Sequence, residues 1–199
     1  MLVHDLVAIL RAAYSGELAA GLAYRGHWKS LRDPEERRRI GEIEAEEWHH
    51  RALVGDMLAA CGACPSRPRE AVFWTIGRVL GALCHMTGWL APMYGAGRLE
   101  SQNVVEYETA ARRAAACGRH EWIECLLTMA EVEWEHEAYF RARVQSHRLA
   151  RWVPMWQAPA PKETIRSSFP TPLTRPARAV LRALQSAETQ PRSLSGPRS

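Results

Sequence analysis

Strand signals are nearly absent from this chain, so a sheet-based fold is not expected. A long uncharged run is missing as well. The most apolar stretch is residues 70–93, where Arg78 is the only charge after Glu70. Residues 79–94 carry none, but those 16 positions are short for a membrane span, which needs about 20. No Gly-rich dinucleotide fingerprint occurs, which argues against a Rossmann-type cofactor site. Asp5 and Arg11 interrupt the first apolar stretch, so no secretory signal is expected ahead of the fold. Cysteine is limited to five positions, 61, 64, 84, 117 and 125. The one CxxC, Cys61–Cys64, lacks the second CxxC or His pair of a zinc site and the βαβ context of a thioredoxin-like motif. Reduced thiols in a cytosolic setting are the expectation.

A basic folded face is also lacking. Of 26 basic and 22 acidic side chains, 11 and two fall from Arg141 onward, so that end carries +9 and residues 1–140 carry −5. An acidic body with a basic tail is not the pattern of a nucleic-acid-binding domain. The tail suits either a solvated, disordered end or anionic lipid.

What is present is helical periodicity. Residues 4–30 place Leu6, Leu10, Tyr14, Leu18 and Leu22 at helical spacing. Asp33 is a suitable N-cap for a second helix, with Pro34 at its first position and Glu35 and Glu36 at its positive end, running to about Ala60. "CGACPSRPRE" then breaks the chain. Residues 70–93 read as a buried or interfacial helix, with Trp74 and Trp89 suited to a membrane boundary. A helix over about 96–116 closes at Gly118, and the last long one covers about 119–147. The six prolines between Pro154 and Pro176 forbid another long helix, although 175–187 could form a short amphipathic one. The organisation expected is a helical domain over 1–150 and a Pro/Arg/Ser-rich, mostly disordered tail over 151–199.

The chemistry lies in a repeated Glu-x-x-His, a spacing that puts a carboxylate and an imidazole on one helix face. It occurs at Glu46/His49, Glu47/His50 and Glu133/His136. Stepping from Glu47 gives Ile40, Ile43, Glu47, His50, Val54 and Leu58, an apolar stripe with two polar members. Stepping from Glu46 gives Arg39, Glu42, His49, Leu53 and Asp56, a mostly solvated face. Glu47 and His50 are therefore expected to point inward, and Glu46 and His49 outward. The last helix repeats the arrangement along Trp122, Leu126, Met129, Glu133, His136 and Phe140. An unpartnered buried carboxylate costs several kcal/mol. Two helices burying one at the same offset point to a shared metal.

A four-helix di-metal site needs one further Glu from each remaining helix. Glu17 lies on the stripe Leu6, Leu10, Tyr14, Glu17, Gly21, Tyr24. Glu100 lies on Gly97, Glu100, Val104, Tyr107, Ala111, with Glu106 and Glu108 as competitors. Each half thus reads Glu, a helix–turn–helix length, then Glu-x-x-His. Oxygen and imidazole ligands suit iron or manganese, and no Cys joins the set.

The order Glu17, Glu47-x-x-His50, Glu100, Glu133-x-x-His136 resembles the ferritin-like di-iron proteins, and within them the demethoxyubiquinone hydroxylase family of ubiquinone biosynthesis. The likeness covers about residues 5–147. The run "FWTIGRVLGALCHMTGWLAPMYGAGRLE" resembles that family's Gly/Ala-rich crossover into its third ligand Glu. The family's Tyr seven residues later corresponds to Tyr107, which favours Glu100 over Glu106. The family usually has His before that Tyr, where this chain has Glu106. The resemblance implies an all-α, ferritin-like four-helix bundle with an extra apolar crossover helix. It also implies two irons (manganese being an alternative), O2 as co-substrate and electrons from NADH or a reductase. The substrate implied is a polyprenyl quinone precursor taken from a membrane surface, by a cytoplasmic protein peripheral to a bacterial inner membrane and compatible with a homo-oligomer. Glu47 and Glu133 would bridge the metals, Glu17 and Glu100 would be terminal, and His50 and His136 would each hold one. Tyr14, Tyr107 and Trp134 are candidates for supporting contacts. The rival readings are a ferritin-like iron-oxidising protein, a hydroxylase of another lipid or small molecule, and a non-catalytic bundle.

Overall fold

A computed structural model describes residues 2–169, with side chains from Val3 onward. Its helices are α1 (Leu2–Ser30), α2 (Pro34–Ala60), α3 (Arg67–Leu83), α4 (Leu90–Ala116), α5 (Ile123–Gln145) and α6 (Lys162–Ser167), and no strand occurs among the described residues. The short helix expected over 175–187 lies outside the described residues.

Local chemistry sets the boundaries. The Asp33 carboxylate accepts the Glu36 N–H at 2.8 Å, and Pro34 occupies the first turn of α2, where a missing N–H costs nothing. Gly62, at φ 65°, ends that helix. The apolar stretch 70–93 is not one helix. It stops at Leu83, turns through residues 84–89 and restarts at Leu90, about six residues before the expected start of the next helix. The turn has a physical cause. Gly88 takes φ 75°, a region closed to most side chains, and Pro92 fits only the first turn of a new helix.

α1 pairs with α2, α4 with α5, and α1 also meets α4, giving four main rods, while α3 lies along α1. The core at one end joins Tyr24, Leu31, Ile40, Ile43, Met93, Phe140 and Val144. Leu6, Leu10, Val54, Leu58 and Leu126 are also buried. Residues 3–30 are long and apolar enough to cross a membrane by length and composition, but half of that window is buried and it carries Glu17 into the bundle.

α3 packs through backbone. A Cβ on Gly77 would stand 2.6 Å from the Ala19 carbonyl oxygen, and one on Gly81 2.9 Å from that of Leu22. These two glycines are its only buried residues. Val72, Trp74, Ile76, Val79, Leu80 and Leu83 remain exposed, and Met86 beyond them is 81% exposed. The apolar run is therefore an uncovered face rather than a buried core helix.

The Pro-rich stretch after Arg151 is tied to the bundle as far as Arg166. Trp156 fills the notch over Gly97 and donates to Glu137 at 2.7 Å. Trp134 donates to the Ala160 carbonyl at 2.9 Å, and Arg166 pairs with Glu131 at 2.6 Å.

Candidate metal centre

α1, α2, α4 and α5 bring Glu17, Glu47, His50, Glu100, Glu133 and His136 together, all buried. Two sets of four ligand atoms form, each set within 4.8 Å: Glu17, Glu47, His50 and Glu133, and Glu47, Glu100, Glu133 and His136. Glu47 and Glu133 belong to both. Helical periodicity explains the convergence, since each of these residues occupies a core position of its own stripe.

The fit to metal is tested by hydrogen bonding. Glu36, Glu44 and Glu137 are also buried, and protein donors hold each one. Glu44 accepts from Arg25 and Trp28 at 2.7 Å and from Trp48 at 3.0 Å. Trp89 and Arg143 hold Glu36, and Arg141 and Trp156 hold Glu137. In contrast, both oxygens of Glu47, one each of Glu17 and Glu133, and Nδ1 of His50 and His136 have no hydrogen-bond partner. His50 Nδ1 stands 2.8 Å from Glu133 Oε1 without hydrogen-bond alignment. His136 Nδ1 lies 3.3 Å from Glu47 Oε1 and 3.6 Å from Glu133 Oε2. These atoms lie close together without pairing. Unmatched buried polar atoms of one hard-donor set fit two divalent ions.

Electrostatics agree. Burial, then the neighbouring carboxylates, pushes Glu47 and Glu100 well above the usual carboxylate range. Burial also raises Glu17. Glu133 is held well below that range despite burial, because the Glu100 carboxyl and the two imidazoles beside it stabilise its charge. His50 and His136 are raised against the effect of burial by their carboxylate neighbours, Glu133 first.

Several supporting contacts were not foreseen. The Tyr24 hydroxyl donates to Glu100, whereas Tyr14 stacks under the Arg51 guanidinium, 3.6 Å from its ring centroid. Asn103 donates to Glu100 at 2.9 Å and faces Glu133 at 3.5 Å. Glu46, placed outward by its stripe, is only 40% exposed and reaches His136 Nε2 at 2.6 Å. His49 does face solvent. Tyr107 donates to Glu17 and lies edge-on to His50 at 5.8 Å. Trp134 points to the segment at Ala160, away from the cluster. Glu106 is outside both ligand sets and lines a small cavity with Glu17, Asn103 and Tyr107. Glu108 pairs with Arg112. No residue number announces Tyr24, Asn103 or Glu46 as a partner. Tyr24 lies on the Glu17 stripe, and that was its only signal.

A second, apolar cavity of 390 Å³ adjoins the centre, walled by α1, the end of α3, the turn and the start of α4. Tyr24, Leu80, Leu83, Ala96 and Leu99 are among its residues, and Ala20 and Leu99 also line the smaller cavity at Glu17.

A helical bundle whose inner seam carries paired carboxylate–imidazole sets is the build of the ferritin-like di-iron class. Within it, residues 4–114 match the family described as ubiquinone biosynthesis protein COQ7, and the chain belongs to that family. Relatives named 3-demethoxyubiquinol 3-hydroxylase are similar. The protein of Francisella tularensis subsp. tularensis (strain WY96-3418) is 33% identical over 78 residues, 38% of this chain and 37% of its own length. That of subsp. novicida (strain U112) is 32% identical over the same shares. The match thus spans less than two-fifths of these curated relatives. No solved structure matches. The family match ends before α5, so the inclusion of Glu133 and His136 rests on the geometry.

Proposed function

We propose that this protein is a di-iron, O2-dependent monooxygenase that hydroxylates the ring of a polyprenyl quinol precursor, of the demethoxyubiquinol type, at a membrane surface. The observation that carries the reading is the pair of ligand sets sharing Glu47 and Glu133, with their inner atoms left unpartnered. Glu17 and His50 would complete one site and Glu100 and His136 the other. Two irons held there would activate O2 with electrons from NADH or a reductase. Four carboxylates match the charge of two ferrous ions, which lowers the cost of burying either.

The chain's own groups do the rest. Glu46 takes the Nε2–H of His136 and so leaves the Nδ1 lone pair facing inward. The Tyr107 and Tyr24 hydroxyls fix the orientations of Glu17 and Glu100. Burial and the adjacent carboxylates push both phenols well above their usual range, so each stays a proton donor. The apolar cavity offers room for a ring beside Tyr24.

The exposed face of α3 supports the membrane assignment. Each CH₂ of a prenyl tail moved into water costs about 0.8 kcal/mol, so a channel opening onto lipid is far cheaper than one opening onto solvent. Leu80 and Leu83 belong both to that face and to the cavity wall.

The test is turnover. Iron-loaded protein with a reductant should convert a prenylated methoxy-methyl-benzoquinol to its hydroxylated product only in the presence of O2. Glu47→Ala and Glu133→Ala should each abolish this. Full turnover by either variant would refute the ligand assignment. Loaded protein that oxidises iron but never the quinol would favour the iron-oxidising reading.

A further inference from the structure

His27 is one of the residues lining the apolar cavity beside the centre. His27 is 2% exposed, and its Nε2 has no partner among the described residues. The other polar side chains of that wall are engaged. Glu100 accepts from the Tyr24 hydroxyl, the Leu83 carbonyl from Thr87 at 2.9 Å, and the Leu80 carbonyl from the Cys84 thiol at 3.2 Å. Leaving a buried polar atom unpaired costs about 1–3 kcal/mol. A Leu or Phe at the same place would stack or pack without that cost. The nitrogen makes sense if whatever fills the cavity supplies its partner.

We propose that His27 is the polar anchor of this cavity, its Nε2 hydrogen-bonding an oxygen substituent on the aromatic ring of the bound prenylated substrate. The proposal rests on the substrate class argued above and adds the group that orients it. Two rings of the wall, Tyr24 and His27, stack on Phe140, which lies outside the lining. Tyr24 and Phe140 stack at 5.8 Å and 8°, and His27 lies 6.3 Å from Phe140 at 17°. His27 follows Tyr24 by three residues, about 4.5 Å along the helix axis. That is comparable to the breadth of a substituted benzene ring. A ring anchored at His27 therefore presents its far edge to the Tyr24–Glu100 pair and hence to the metal centre. Burial pushes the imidazole pKa down to about 4. A neutral imidazole carries one donor and one acceptor nitrogen, which suits an uncharged quinol or quinone oxygen and does not suit an anion.

The experiment measures dissociation constants of the full-length protein in detergent for two probes. One is a methoxy-methyl-benzoquinone with a short prenyl tail, and the other a prenyl-benzene of the same length without ring oxygens. His27→Leu should weaken quinone binding about tenfold, ~1.4 kcal/mol, and leave prenyl-benzene binding unchanged. His27→Gln should keep most of the quinone affinity. Unchanged quinone binding in His27→Leu, or equal losses for both probes, overturns the anchor and leaves the substrate class standing. Wild-type protein that binds neither probe overturns the substrate class and the anchor with it. If the variant does not fold, nitrogen NMR of the unmodified protein decides. The Nε2 resonance of His27 should move with the quinone and not with the prenyl-benzene, and an unmoved resonance overturns the proposal.

Discussion

Glu46 on α2 reaches across to α5 and meets Nε2 of His136 at 2.6 Å, behind a ring whose Nδ1 faces Glu47 and Glu133. A carboxylate behind a ligating imidazole fixes its tautomer and strengthens it as a ligand. Glu46→Ala should therefore weaken metal binding by about 10- to 100-fold, while the apo protein keeps its helicity. Competition against a chelator measures this. An unchanged affinity would make the contact a surface ion pair only.

The sign of the pH dependence follows from the raised groups. Glu17, Glu47 and Glu100 titrate above their ordinary 4.5 and the two imidazoles above 6.5. Folded protein then binds protons more tightly than unfolded chain, so these groups contribute stability that is full below about pH 4.5 and is lost as pH rises through the folded values. The lowered value of Glu133 has the opposite sign but acts only below 4.5, and the lowered value of His27 is a single group opposing the five raised ones between about pH 4 and 6.5. Metal-free protein should melt at progressively lower temperature from about pH 5 to about pH 8, and manganese should remove that slope. A rising melting temperature of the chelated protein over this range would contradict the charge balance.

α3 predicts a vesicle result. Val72→Lys with Val79→Lys places two charges on the exposed apolar face without touching Gly77 or Gly81. The pair should lose flotation with zwitterionic vesicles, where added lysines gain no electrostatic attraction, and keep its stability within about 0.5 kcal/mol. Binding retained by the double variant would remove α3 as the membrane surface.

Gly81 at the α1–α3 crossing and Gly41 on α2 should respond in opposite ways to an added side chain. Gly81→Leu should cost about 1–3 kcal/mol, since its Cβ alone meets the Leu22 carbonyl at 2.9 Å. Gly41→Ala on α2, with nothing within 4 Å, should stabilise by about 0.5–1 kcal/mol. Denaturant unfolding checks both. A tolerated Leu at 81 would show that α3 is not seated on α1.

How much of this was legible in the sequence depends on whether a contact follows from one helix or from two. Period alone separates Glu47 and His50 from His49, because a single axis decides which way each points. Glu46 fails that test, since it lies beside the stripe and is captured only by a ring from α5. The choice of Tyr24 over Tyr14 for Glu100 likewise depends on how α1 and α4 sit together. An apolar run such as 70–83 reads the same whether protein or lipid covers it. Only the seating of Gly77 and Gly81 on the α1 backbone shows which side stays open. Proline marks where the last long helix must stop, but the notch at Gly97 that receives Trp156 is a tertiary feature.

The most direct test of the account is anomalous diffraction at the iron edge from crystals grown with ferrous iron. It should show two peaks per chain, about 3.5–4 Å apart, both within bonding distance of Glu47 and Glu133, with Glu17 and His50 at one and Glu100 and His136 at the other. A single peak, or iron bound away from these six side chains, would contradict it.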